Sequence, residues 1–213
     1  EEDKAKFLLI QGDFFGIQDF IFSEGAETNK NSAKVLRGRS FDVSLICELA
    51  ALKVLEALSL PPTSLIINAA GKFLIVAPNT AASAEALDQV RRELNAWFVD
   101  HAFATCSVGL VSTEASSRDF TAKRYGDLLD RLFADMESAK FQRFDLAERK
   151  EVVLNADFQH GVCRWQAKLP ADGLADGTSC ALSRDQILIG RALTKHEHLL
   201  ILKETAEVQS SES

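Results

Sequence analysis

The stretch Gly12-Asp13-Phe14-Phe15-Gly16-Ile17-Gln18 sets a carboxylate just after an apolar run, Phe7-Leu8-Leu9-Ile10, with a glycine three residues further on. A carboxylate at a strand end can hold a divalent cation, which neutralises a polyphosphate and activates an attacking hydroxyl. A glycine just beyond it lets backbone approach a ligand closely. A helix opening there turns its free N–H groups toward phosphate. On this reading Asp13 is the metal acid and Gly16 the point at which backbone approaches a phosphate. The competing reading makes Asp13 a helix cap. Two-metal chemistry needs more than one carboxylate. The following hairpin, Asn68-Ala69-Ala70-Gly71-Lys72, carries none. Such a site contacts a nucleotide and does not catalyse alone, so no residue is assigned a catalytic role. A plain turn is the other reading of that hairpin.

Three basic residues, Lys34, Arg37 and Arg39, cluster at the start of a helical pattern. They read either as a solvated surface or as contacts to a phosphate or a neighbouring subunit. Cys47 and Cys106 fall on apolar faces and read as core thiols. His101 closes a helix, where a cation suits the carbonyl end. No Gly-x-Ser-x-Gly elbow is present, which leaves a serine-hydrolase reading without support.

The elements that must position these residues follow from periodicity. Lys6 to Asp13 reads as a strand, and Ile17, Phe20 and Ile21 recur at helical spacing. Ser23 to Ala33 reads as a loop. Lys34 to Leu58 reads as a long helix with Phe41, Leu45, Leu49, Leu52 and Leu55 inward, stopped by Pro61-Pro62. Leu65–Ile67 and Phe73–Val76 form a hairpin. A helix from about Ala82 to Asp100 turns Leu87, Val90, Leu94, Trp97 and Phe98 inward. Phe103 to Val111 alternates as a strand. Asp119 to Lys140 reads as a helix with Leu128, Leu129, Leu132, Phe133 and Met136 inward. The order is an α+β, ferredoxin-like βαββαβ palm of the polymerase and nucleotidyl cyclase type, with extra helices. Composition shifts after Phe144. Residues 1–144 form the expected palm and 145–203 a small appended module, with Leu199 to Leu202 as a last short strand. Residues 204–213 are a polar tail.

The chain has 213 residues, 46% hydrophobic and 26% charged, with net charge −7. That balance argues against free-standing nucleic-acid binding, which wants a basic face. No apolar stretch reaches a membrane span of about 18 residues. Four scattered cysteines fit a reducing, cytoplasmic setting. The opening Glu1-Glu2-Asp3-Lys4 is no signal peptide and lacks a starting Met, so the chain reads as a piece of a longer protein.

Four motifs in order then resemble one family. Gly12-Asp13-Phe14-Phe15-Gly16-Ile17-Gln18-Asp19-Phe20 is similar to the G-D-x-S-G-I-Q-[DN]-F signature of the large subunit of type III-A CRISPR–Cas (Csm) effector complexes. Leu36-Arg37-Gly38-Arg39-Ser40-Phe41 resembles its L-R-x-R-S-F. Asn68-Ala69-Ala70-Gly71-Lys72-Phe73 resembles its G-G-G-x-F hairpin, and Leu128 to Phe144 its helix ending in A-K-x-x-x-F. The resemblance implies the first palm of that subunit, which binds ATP with magnesium or manganese at an interface with a second palm. That second palm carries GGDD and makes cyclic oligoadenylate, and an HD domain cuts single-stranded DNA. Neither motif occurs in this chain. The implied nucleotide contacts are Asp13 to Gln18, Arg39, Ser40 and Asn68 to Gly71. The implied partners are the second palm, the other Csm subunits, and CRISPR RNA and target RNA through the complex. The alternative is a degenerate palm with a structural role in assembly. An unrelated GGDEF-like sensor fits less well, because the hairpin lacks acids. Two departures stand out: Phe15 replaces the family's serine, and Ala69-Ala70 replaces hairpin glycines.

The resemblance also implies a zinc-ribbon-like module. Its first knuckle is His160-Gly161-Val162-Cys163 and its second Cys180-Ala181-Leu182-Ser183, giving His160, Cys163 and Cys180 as metal ligands. Structural zinc wants four ligands of Cys or His type, so this set is incomplete, with His196 or His198 as the candidate fourth. The competing expectation is a metal-free remnant packed on Trp165, Leu169, Ile187 and Leu188.

Overall fold

In the computed structural model, which describes residues 4–23, 31–144, 154–175 and 177–201, the chain is α+β. The elements are β1 (Ala5–Phe15), α1 (Ile17–Ile21), α2 (Ser32–Ala57), β2 (Leu65–Ala69), β3 (Lys72–Pro78), α3 (Ala81–Ala102), β4 (Ser107–Ser116) and α4 (Tyr125–Phe141). A two-stranded pair, β5 (Val162–Cys163) and β6 (Gln166–Pro170), precedes α5 (Ala181–Ala192). The main sheet runs β2-β3-β1-β4 and is antiparallel throughout.

Its two faces are both covered. Leu8, Ile10, Phe14, Phe73, Ile75, Val108 and Leu110 face α2 and α3 in one core. Leu9, Leu74 and Ala115 face Leu128 and Leu132 of α4 in the other. A strand buried on both sides reads as a continuous apolar run, which is why β1 lacks alternation. It is also why β1 does not stop at Asp13. Phe14 packs on Phe20 and Phe98, with ring centroids 5.5 and 6.0 Å apart, while Phe15 turns to the opposite face. Both aromatics belong to the strand, and Asp13 is an interior strand residue rather than its end. Gly12 is required by its neighbour on β3, since a Cβ there would lie 2.0 Å from the Phe73 ring.

Several expected faces are corrected. The buried side of α2 carries small residues, Cys47, Ala50, Ala51 and Val54, whereas Leu49 and Leu52 are exposed and Phe41 and Leu45 only half-buried. Small side chains let the helix axis come close to the sheet, and the large ones then have no room beneath it. Trp97 on α3 and Phe133 on α4 are exposed for the same reason of angular position. β4 begins four residues later than expected, because Phe103 and Ala104 take left-handed φ values of 49° and 55° and turn the chain out of α3. α4 starts at Tyr125, after turns over residues 117–124. Residues 199–201 form no strand. Leu202, the tail from 204, and most of the expected loop and module start (24–30, 145–153) lie outside the described residues. No helix among the described residues is long and apolar enough to cross a membrane.

The last helix is seated directly on α2. A Cβ at Gly38 would lie 2.0 Å from the Gln186 carbonyl oxygen, and one at Gly190 would lie 1.9 Å from the Lys34 carbonyl oxygen. The two helices therefore touch backbone to backbone at glycines. Arg37 Nη1 donates to Gly190 O at 2.6 Å, which adds a hydrogen bond across the crossing.

Candidate functional site

Asp13 pairs across the sheet with Lys72 on β3 and Gly109 on β4. Residues directly opposite in an antiparallel pair point to the same face. Lys72 Nζ accordingly lies 3.3 Å from Asp13 Oδ2. Asp13 is 6% exposed. Burial raises its pKa above the ordinary carboxylate value, and the Lys72 ammonium beside it pulls in the opposite direction.

A cavity of about 430 Å³ opens at this point, lined by residues 13–19 together with Lys72, Lys140 and Arg143. Gly16 turns the chain from β1 into α1 with φ 82°, a conformation that favours glycine. Lys140 and Arg143 come from the end of α4 and stand over the Phe15 ring, 5.9 and 5.7 Å from its centroid. The Phe15 ring occupies the space a side chain at position 109 would need, since a Cβ on Gly109 would lie 2.1 Å from it. A second cavity, of about 630 Å³, follows the free edge of β4 and shares Phe15 and Arg143 with the first. Ser107 lines it, and its buried Oγ has no hydrogen-bond partner among the described residues.

The structure thus brings together Asp13, Phe14, Phe15, Gly16, Ile17 and Gln18. It does not bring the other expected contacts to that cavity. Asn68 donates its amide to Glu48. Ala70 and Gly71 form the tip of a two-residue turn with φ 55° and 81°. The Gly71 carbonyl accepts from Phe14 N–H at 2.9 Å, and Gly71 packs beside Ile17, Val43 and Phe14 without lining the cavity. Ser40 is exposed on α2.

Arg39 is the clearest correction. It is 1% exposed. Its Nε donates to Gln186 Oε1 at 3.1 Å, Nη1 to Ile21 O at 3.1 Å, and Nη2 to Trp165 O. The periodicity of α2 places it on the face that meets α5 and β6, so it binds protein backbone. Lys34 likewise donates to Asn31 Oδ1 at 3.0 Å. Lys72, Lys140 and Arg143 were not among the expected contacts. The signal for Lys72 is its register opposite Asp13. The signal for Arg143 is its i,i+3 spacing from Lys140 at a helix end.

The cysteine pair is buried against Val35, Trp165 and Leu169. Ser183 Oγ lies 3.4 Å from Cys163 Sγ and 3.3 Å from Cys180 Sγ, and Cys180 N–H donates to Cys163 Sγ at 3.3 Å. Interaction between the two adjacent thiols pulls Cys163 below the usual thiol range and holds Cys180 above it. His160 is exposed and packs over Gly173 instead. His196 and His198 are exposed as well. Among the described residues no three His, Cys, Asp or Glu side chains converge. This donor set does not fit structural zinc, which takes four. The Asp13 cavity does not fit a two-metal site either, since its one buried carboxylate already faces an ammonium. Cys47 and Cys106 are buried thiols, each pushed up to about 12 by burial.

Comparison with known proteins adds the following. The family described as Csm1 subunit domain B matches residues 6–157. A Thermococcus onnurineus protein, the CRISPR system single-strand-specific deoxyribonuclease Cas10/Csm1 of subtype III-A, is 30% identical over 174 residues, 80% of this chain and 21% of its own length. A Csm1-Csm4 cassette solved in complex with cA3 superposes with TM-score 0.63 at 30% identity, covering 71% of this chain and 20% of that one. A Csm1-Csm4 cassette in complex with AMPPNP gives 0.61 at 29% identity, covering 70% and 21%. The chain spans about a fifth to a quarter of the length of the curated relatives it matches.

Proposed function

Because this chain belongs to the Csm1 family, matching its domain B, we propose that it is the first palm of the large subunit of a type III-A CRISPR effector complex, and that its Asp13 cavity contributes ATP binding to cyclic oligoadenylate synthesis. Catalysis is then the work of a second, GGDD-bearing palm, and single-stranded DNA cleavage that of an HD domain, both outside this sequence. The strand order β2-β3-β1-β4 with helical crossovers supports the ferredoxin-like reading. Residues 1–144 are the palm and 145–203 a degenerate zinc-ribbon-like module.

One observation carries the nucleotide reading: residues 13–18 wall a 430 Å³ cavity whose other lining includes Lys72, Lys140 and Arg143. Three cations around a concave site suit a polyphosphate. Solved relatives with AMPPNP and cA3 support a nucleotide role for such a fold. Calorimetric titration of ATP into this chain joined to a GGDD palm tests it. Saturable binding that weakens in Arg143→Gln supports the reading; absence of heat in the joined protein rejects it.

The Asp13–Lys72 ion pair favours a second reading, in which the palm serves assembly alone. Capture of partner subunits such as Csm4 by variants of the cavity separates the two. Unchanged capture together with unchanged oligoadenylate output leaves only the structural role.

A further inference from the structure

We infer that the Asp13 cavity takes the polyphosphate of its nucleotide without a protein-bound divalent cation, the Lys72 ammonium standing where a metal would stand. This rests on the nucleotide reading above and specifies the chemical form of the ligand. A carboxylate recruits a metal when its charge is uncompensated and a second oxygen donor lies near. The first condition fails, and the nearby carboxylates, Asp19 and Glu137, are each paired with a lysine of their own, Lys168 and Lys140. Lys72 Nζ is 3.3 Å from Asp13 Oδ2, and the pairing is enforced by strand register, because the two residues are directly opposed on β1 and β3. The turn beside them, Asn68 to Gly71, contributes no acid. Among the described residues no cluster of three ligating side chains exists.

The cavity lining itself carries three cations, Lys72, Lys140 and Arg143, against two carboxylates, Asp13 and Asp19; beside it Glu137 pairs with Lys140 and Lys168 with Asp19. A divalent ion entering here would have to displace Lys72 from a largely buried carboxylate and would then face Lys140 and Arg143. A polyphosphate meets no such opposition. It accepts from Lys72, Lys140 and Arg143, while Asp13 fixes the Lys72 side chain at the rim. Lys72 is half-exposed, its side chain 56% accessible, so it reaches a ligand without leaving Asp13.

The test is titration of ATP into this chain joined to a GGDD palm whose two metal-binding acids are replaced by Asn, in excess EDTA and again in excess manganese, with Lys140→Gln alongside Lys72→Gln. Metal-free ATP is expected to bind at least as tightly as the manganese complex, and each substitution to weaken it by about tenfold, a loss of one charge contact. Lys140→Gln leaves the Asp13–Lys72 pair intact, so its effect cannot come from an orphaned carboxylate. Binding seen only with manganese, or strengthened by Lys72→Gln in manganese, overturns the inference while keeping the nucleotide reading. Absence of binding in both buffers rejects the two together.

Discussion

Arg39→Met distinguishes a structural arginine from a ligand-binding one. Methionine keeps the long apolar stem and removes the five donors of the guanidinium. Three acceptors lose their partner: Ile21 O, Trp165 O and Gln186 Oε1. Gln186 can reorient, so the lasting loss is two buried carbonyls, at about 1–3 kcal/mol each. Removing a desolvated charge returns part of that. Burial already lowers the Arg39 pKa, with the neighbouring Cys163 opposing that shift. The net expectation is about 3 kcal/mol, a large part of the roughly 5–15 kcal/mol that holds a domain together. Urea unfolding followed by the fluorescence of Trp165, whose carbonyl Arg39 binds, should show a midpoint about 1–2 M lower. Hydrogen exchange should accelerate first in β6 and α5, because Arg39 ties them to α1 and α2. A variant within about 1 kcal/mol of the parent that instead loses ATP affinity would refute the reasoning and return Arg39 to the cavity.

Gly190→Ala forces a Cβ to 1.9 Å from the Lys34 carbonyl oxygen, so α5 must lift from α2. A loss of about 2 kcal/mol or more in chemical unfolding is expected, and a neutral effect would mean that the crossing is not as close as described. Ala70→Gly relieves a left-handed alanine at φ 55°. Differential scanning should show a gain of about 0.5–1 kcal/mol, a rise of roughly 1–4 °C; a lower midpoint contradicts it. Burial pushes Asp42 up to about 6 from 3.8. The folded protein therefore holds this proton more tightly than the unfolded chain, and the stability present below pH 4 is lost as pH rises through 6, by up to about 3 kcal/mol. Asp42→Asn should flatten the unfolding free energy across that window, and an unchanged slope would assign the loss to another group.

The element order was legible because long apolar-periodic segments and the Asn-Ala-Ala-Gly turn are local signals. The faces of α2 were not. A periodicity argument assumes that the largest apolar residues face inward, but Cys47, Ala50 and Ala51 do so because close helix–sheet contact excludes Leu49 and Leu52. The cavity was half legible. Residues 13–18 are contiguous, so one motif finds them. Lys72, Lys140 and Arg143 arrive from β3 and the end of α4, and their convergence is a product of register and packing. Arg39 shows the converse error: a basic residue near a glycine looked exposed, yet three carbonyl-type acceptors from distant segments draw it inside. The cysteine pair came from the family resemblance, which could not show that His160 turns away.

Phe15 stands where the resembled signature has a serine, and a ring of that size pointing into the cavity would fill it. The packing argues otherwise. The ring is 4% exposed and lies on Gly109, in the space left by the missing side chain. It borders the cavity from below rather than entering it. Its upper face meets Lys140 and Arg143, an arrangement in which the ring quadrupole attracts both cations. Two like charges converging from a helix end repel each other, and a shared aromatic surface lowers the cost of holding them together. Phe15 and Gly109 thus act as a pair that concentrates positive charge beside Asp13 and Lys72. On the proposed nucleotide reading, the electrostatic character a polyphosphate needs is carried by residues from α4 and β3 rather than by a hydroxyl at position 15.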